Sequence, residues 1–198
     1  RDRVRSALED RDRLGQVTAW HASNRAGNGC DDAPEPGSWE EGATAPRRAA
    51  MALYELSLPG AAYMTFEHFA GRLEVLGSGR AHRTWGDEGR PAREVRTLTT
   101  ALRLRTERAM GSGSLAFVDE LSWTHPGVGV HVCAGTMVVL NTSAATVEVP
   151  AEHRFLVSSQ APAPEALPPA GAPTPVPPET CAWFDTARIL PAPFEHTD

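Results

Sequence analysis

Hydrophobic positions along the chain follow two different periods, and the change falls near residue 113. Before it, apolar residues recur at helical spacing. Val4, Ala7 and Leu8 stand among charged residues over 3–14, which predicts a surface helix closed by Gly15. "QVTAW" then alternates into a short strand. In "TAPRRAAMALYELS", Thr44 suits a helix cap and Pro46 suits the first turn, where a missing N–H costs nothing. Ala49, Leu53 and Leu56 fall on one face of that helix, and "LPGAAYMTF" follows as a Pro-Gly break and a strand. The order strand, loop, helix, break, strand predicts a βαβ unit with parallel strands. A further helix is predicted over about 92–108, with Val95, Leu98 and Leu102 inward and Arg103, Arg105 and Arg108 toward water.

After "GSGS" the period becomes 2. Six short runs, "SLAFV", "GVGVHVCAG", "TMVVLN", "ATVEVP", "RFLVSS" and "TCAWF", are β-branched or aromatic and separated by turn residues. They predict a small antiparallel β-sandwich. The stretch 161–178, "APAPEALPPAGAPTPVPP", reads as an exposed loop, partly polyproline II, unable to supply ladder hydrogen bonds. Residues 26–43 carry Gly, Asp, Pro and Glu, which is loop chemistry, and no internal repeat is visible. The fold class is therefore α/β plus all-β, divided into 1–110 and 111–190.

Composition narrows the function. A chain of 198 residues, 41% of them hydrophobic, can bury one good core or two small ones, and 17 Pro with 17 Gly favour short strands and long connections. A formal net charge of −6 argues against a nucleic-acid partner and against an anionic membrane surface. No run approaches the roughly 20 apolar residues of a membrane span, and "RDRVRSALED" lacks the apolar core of a signal peptide, so a cytoplasmic chain is expected. Cys30, Cys133 and Cys181 are widely spaced and form no CxxC pair, which predicts structural thiols, no metal and no cofactor. The chain opens at Arg1 inside a helical pattern and without methionine, which reads as a segment of a longer sequence.

The series "AWHASN", an Ala- and Arg-rich helix, "LPGAAYM", a helix with "ALRLR", the strands "GVGVHV" and "MVVLNTS", then "LVSS" and "ETCAWF" resembles the C-terminal part of α-amylase-superfamily glycoside hydrolases (glycoside hydrolase family 13). The nearest type is the bacterial α-glucosidase and oligo-1,6-glucosidase branch, and the resemblance runs from about Val17 to Phe184. It implies the last βα units of a (β/α)8 TIM barrel over 1–110, followed by the sandwich. It also implies an active site at the carboxyl ends of the strands, just after Trp20 and Met64. Retaining glycosidases need two carboxyl groups about 5 Å apart. In the family both come from earlier strands. A third carboxylate, in Ser-Asn-His-Asp, stabilises charge on the sugar ring. Here Ser23 and Asn24 match, while Arg25 and Ala26 replace His and Asp. A guanidinium would repel an oxocarbenium-like transition state. Where the family has Tyr-Gln-Gly-Glu-Glu-Leu-Gly-Leu, this chain has "TFEHFAGR" and keeps only Gly71. The resemblance thus implies a segment of an α-glucosidase that is inactive alone, its ligand an α-glucoside or maltooligosaccharide, the alternative being a non-catalytic carbohydrate-binding or structural remnant of such an enzyme. Unpaired barrel strands would invite self-association.

No catalytic residue is expected in the chain itself. His21 and Asn24 are candidates for sugar hydroxyls, Arg25 for an anion at the rim, and Trp39 and Trp85 for stacking on a sugar ring. Trp20 and Trp123 are further aromatic candidates, whereas Trp183 reads as core. Glu67 with His68, and the acidic set Asp31, Asp32, Glu35, Glu40 and Glu41, lack the spacing of a metal site. Ser158, His153 and Asp185 lack a nucleophile elbow.

Overall fold

The computed structural model describes residues 2–14, 18–21, 43–63, 92–119, 121–160 and 171–186. Helix α1 spans Asp2–Leu14 and buries Leu8. Strand β1 (Ala19–His21) is followed by α2 (Ala45–Leu56) and β2 (Ala61–Tyr63). The two strands pair in parallel with Ala19 opposite Ala61 and His21 opposite Tyr63, so the βαβ order of the sequence is realised. Thr44 caps α2: its side chain accepts a hydrogen bond from the Arg47 N–H at 3.2 Å, satisfying one orphan donor of the first turn. Helix α3 spans Ala92–Glu107 and ends in a 3-10 turn at Met110–Ser112.

Seven strands follow: β3 (Leu115–Val118), β4 (Val128–Cys133), β5 (Thr136–Asn141), β6 (Val147–Val149), β7 (Arg154–Ser158), β8 (Thr174–Val176) and β9 (Thr180–Asp185). Five form an antiparallel sheet in the order β3-β4-β5-β9-β7, and β6 pairs with β8 in a separate ribbon. Between β4 and β5, Ala134 (φ 46°) and Gly135 (φ 71°) make a two-residue hairpin turn of the kind whose twist matches antiparallel strands.

Side-chain alternation divides this sheet into two buried faces. Cys133, Val138, Val157, Cys181 and Trp183 meet Ala50, Leu53, Leu56, Leu98, Ala101, Leu104 and Met110 from the helices. The opposite face carries Val130, Met137, Val139, Ala182 and Phe184, which pack against Val149 and Val176 of the ribbon. Phe155 and Phe184 meet edge to face there, 5.9 Å between ring centres. The sheet is thus the middle of three layers, which explains why β5 and β9 are buried at nearly every position and apolar through their centres.

The molecule is a mixed α/β protein, and a closed barrel is not formed among the described residues. Three expectations are corrected. All six predicted β runs are strands, yet 161–178 yields a seventh, β8, with Val147 opposite Val176 and Val149 opposite Thr174. Pro175 stands at its centre opposite Glu148, in a ribbon that has two strands among the described residues, the edge setting in which proline is tolerated. In α3 the buried stripe is Leu98, Ala101 and Leu104, while Leu102 is exposed. Arg105 also points inward, against the expectation that it faces water, because backbone carbonyls await it there. Among the described residues no helix is long and apolar enough to cross a membrane.

Candidate functional site at the parallel strands

The region singled out by the sequence is the β1–α2–β2 crossover. Its geometry begins at Leu58-Pro59-Gly60, the turn that leads α2 into β2. Gly60 adopts φ +109°, and a side chain there would collide with the Thr18 carbonyl. Only glycine allows that approach. Two backbone bonds then lock the turn: the Gly60 N–H donates to Gly111 O at 2.7 Å and the Ala61 N–H to Thr18 O at 2.8 Å. The Trp20 indole N–H donates to Pro59 O at 2.5 Å, which ties β1 to the same turn.

Arg105 completes it. Its Nη1 donates to Leu56 O at 2.5 Å and Leu58 O at 2.7 Å, and its Nη2 donates to Gly60 O at 2.5 Å. Helix ends leave carbonyls without partners and a partial negative charge, and a guanidinium answers both. Burial lowers the Arg105 pKa from its ordinary value, while Cys133 and Glu55 act in the opposite direction. The group keeps its charge.

These contacts sit at the amino end of β2. The carboxyl ends, where the resemblance puts a sugar pocket, are marked by the opposed backbones of His21 and Tyr63. Of the predicted contact residues, His21 is therefore placed at that rim through its backbone register. Asn24, Arg25, Trp39 and Trp85 lie outside the described residues, as do Ala26, Glu67, His68 and the acidic set between Asp31 and Glu41. Trp20 is engaged by the turn. Trp183 is core, as its sequence position predicts, and Trp123 packs half-buried on the ribbon side of the sheet.

Ser158, His153 and Asp185 are not brought together as a nucleophile, base and acid. Ser158 Oγ donates to Gln160 O at 3.0 Å, while Asp185 accepts from Arg154 at 2.8 Å and from Arg108 at 3.4 Å. The hydrogen bonds from Arg108 and then Arg154 hold the Asp185 carboxyl below its ordinary pKa. That cluster joins the end of α3 to the sheet edge.

A buried histidine also escaped the sequence reading. His131 of β4 is 1% exposed, with Nε2 3.0 Å from Ser57 Oγ at the end of α2. Ser57 Oγ donates to Tyr54 O at 2.5 Å, so it accepts from an Nε2–H, which in the neutral ring leaves Nδ1 without a proton. The Tyr54 ring stands edge-on at 5.3 Å. Burial drives the His131 pKa down to about 3, opposed by a backbone hydrogen bond with Ser57. A neutral imidazole without solvent access serves here as a polar tie between helix and sheet. Its signal was available: alternation through "VHV" puts His131 on the face opposite Val130 and Val132.

Compared with models of protein families and with curated proteins, the chain matches none.

Proposed function

We propose that this chain is the C-terminal segment of an α-glucosidase-type glycoside hydrolase acting on α-glucosides or maltooligosaccharides, and that it is inactive by itself. The observation that carries the reading is the parallel crossover β1–α2–β2, followed by an antiparallel sheet that packs on its helix. A parallel pair joined through a helix is the repeating unit of a (β/α) barrel. Supporting it, the motif "LPGAAY" has a physical reason for its glycine, since Gly60 must approach Thr18 without a Cβ. In this reading β1 and β2 are the seventh and eighth barrel strands, and the rim beyond His21 and Tyr63 faces the sugar. Two carboxylates from earlier strands supply nucleophile and general acid. Arg25 and Ala26, in place of the family's His and Asp, leave the charge on the ring without its third carboxylate.

The coding sequence in frame before Arg1 tests this directly. The expected result is a run of βα units, two of whose strands end in Asp and Glu; an upstream sequence without them removes the hydrolase reading. Incubated alone with p-nitrophenyl α-glucoside, the 198-residue chain is expected to release no more nitrophenol than a mock preparation. Turnover above that level contradicts the inactivity.

A further inference from the structure

We propose that Arg105 is a positioning residue whose guanidinium clasps the α2–β2 turn, sets where β2 begins, and makes the β1–β2 pair a unit that opens while the antiparallel sheet stays folded. The inference concerns the mechanics of the rim and does not depend on which ligand the rim takes.

The argument is geometric. Three carbonyls, from Leu56, Leu58 and Gly60, converge on one side chain of α3. Leu56 closes α2, Leu58 lies in the turn after it, and Gly60 immediately precedes β2. On the other side the 3-10 turn closes over the clasp: a Cβ added at Gly111 would lie 3.4 Å from Arg105 Nη2 and 3.4 Å from Gly60 O. From there the linkage passes through the backbone, Gly60 to Gly111 and Ala61 to Thr18, into β1. His21 and Tyr63 stand two residues beyond Ala19 and Ala61, so the position of Gly60 is transmitted to both ends of the rim.

Among the described residues, β1 and β2 make their principal contacts with each other, with Ala62 of β2 also against the helix-side core, whereas α2 packs on β9 and α3 on β7. A two-stranded sheet alone is marginal in water, so the contacts at the turn add much of its order. Helix α2 and the sheet keep their own apolar contacts through Leu53, Leu56, Val138 and Trp183 when the turn lets go.

Amide hydrogen exchange in Arg105→Met and Arg105→Lys tests the proposal, together with the Trp20 indole N–H resonance, assigned with Trp20→Phe. With hydrogen bonds to a charged group removed, the Gly60 and Ala61 amides of Arg105→Met are expected to exchange more than about tenfold faster, while those of β5 and β9 stay within about twofold of the unsubstituted chain. The Trp20 indole resonance is expected to move, because its acceptor Pro59 O lies in the released turn. Lysine keeps a charge but not the planar fork, so Arg105→Lys is expected to recover part of the protection. Unchanged Gly60 and Ala61 amides overturn the proposal, as does equal acceleration throughout β5 and β9. So does a Met variant that does not fold, because the clasp would then be global. A Lys variant no better protected than Met overturns the role of the cationic donor.

Discussion

The antiparallel sheet and the parallel pair are both short-stranded, yet they are held by different means. The sheet is clamped on two faces, with Trp183 and Val138 against the helices and Phe184 and Val139 against the ribbon. Its order is distributed over many apolar contacts, none of which decides the fold alone. Among the described residues the pair β1–β2 has Ala62 against the core and is otherwise positioned by polar contacts at one turn: Arg105 to three carbonyls, Trp20 to Pro59, and the Ala61 N–H to Thr18 O. Distributed packing gives a scaffold, whereas concentrated hydrogen bonding gives a place that one substitution can release.

The largest expected effect belongs to the scaffold. Trp183→Ala empties a site that is 0% exposed at the junction of sheet and helices. Its cost is about 3–5 kcal/mol in chemical denaturation, seen alike by every probe. A loss below about 1 kcal/mol would mean that the two-faced clamp is not what holds the sheet.

Acid tests the polar tie between the layers. The folded state keeps His131 neutral down to about 3, whereas the unfolded imidazole takes its proton near 6.5. Between those values the unfolded state binds more protons. Stability is therefore fully present above about pH 6.5 and falls as the pH drops toward 3, at up to about 1.4 kcal/mol per pH unit from this group. His153, whose pKa is also lowered by burial, contributes in the same direction. Denaturant midpoints measured from pH 7 to pH 4 check this, with His131→Gln expected to flatten the profile. An unaltered slope in that variant would assign the acid sensitivity elsewhere.

A smaller effect is expected at the start of α2. Thr44 caps the helix and also donates to Glu179 Oε2 at 2.5 Å, a contact from the turn before β9. Thr44→Ala should cost about 1 kcal/mol in thermal unfolding. A negligible change would show that the first turn of α2 is fixed by packing and not by its cap.

What the sequence made legible follows the same division. Thr44 and Pro46 announced α2 because caps depend on residues three or four apart. The six β runs were legible because period 2 is local. Arg105 was not, although it lies seven positions after Leu98 on the buried stripe of α3, because its partners lie 45 to 49 residues earlier in the chain. Charge alone sends an arginine to water, and here the carbonyls at the end of another helix and in the turn after it bring it in. Strand β8 was hidden by Pro175, which sits mid-strand in a ribbon that has two strands among the described residues. At the rim, the resemblance named residues around His21, and of those contact residues only the His21 backbone falls within the described segments.

Native-state hydrogen exchange of the unsubstituted chain, followed as denaturant is raised through concentrations below the unfolding transition, tests the contrast most directly. The account predicts that the Gly60 and Ala61 amides exchange through an opening of smaller free energy and weaker denaturant dependence than the amides of β5 and β9. If all of them merge on a single opening from the lowest denaturant onward, the parallel pair and the sheet form one unit, and the distinction drawn between them is wrong.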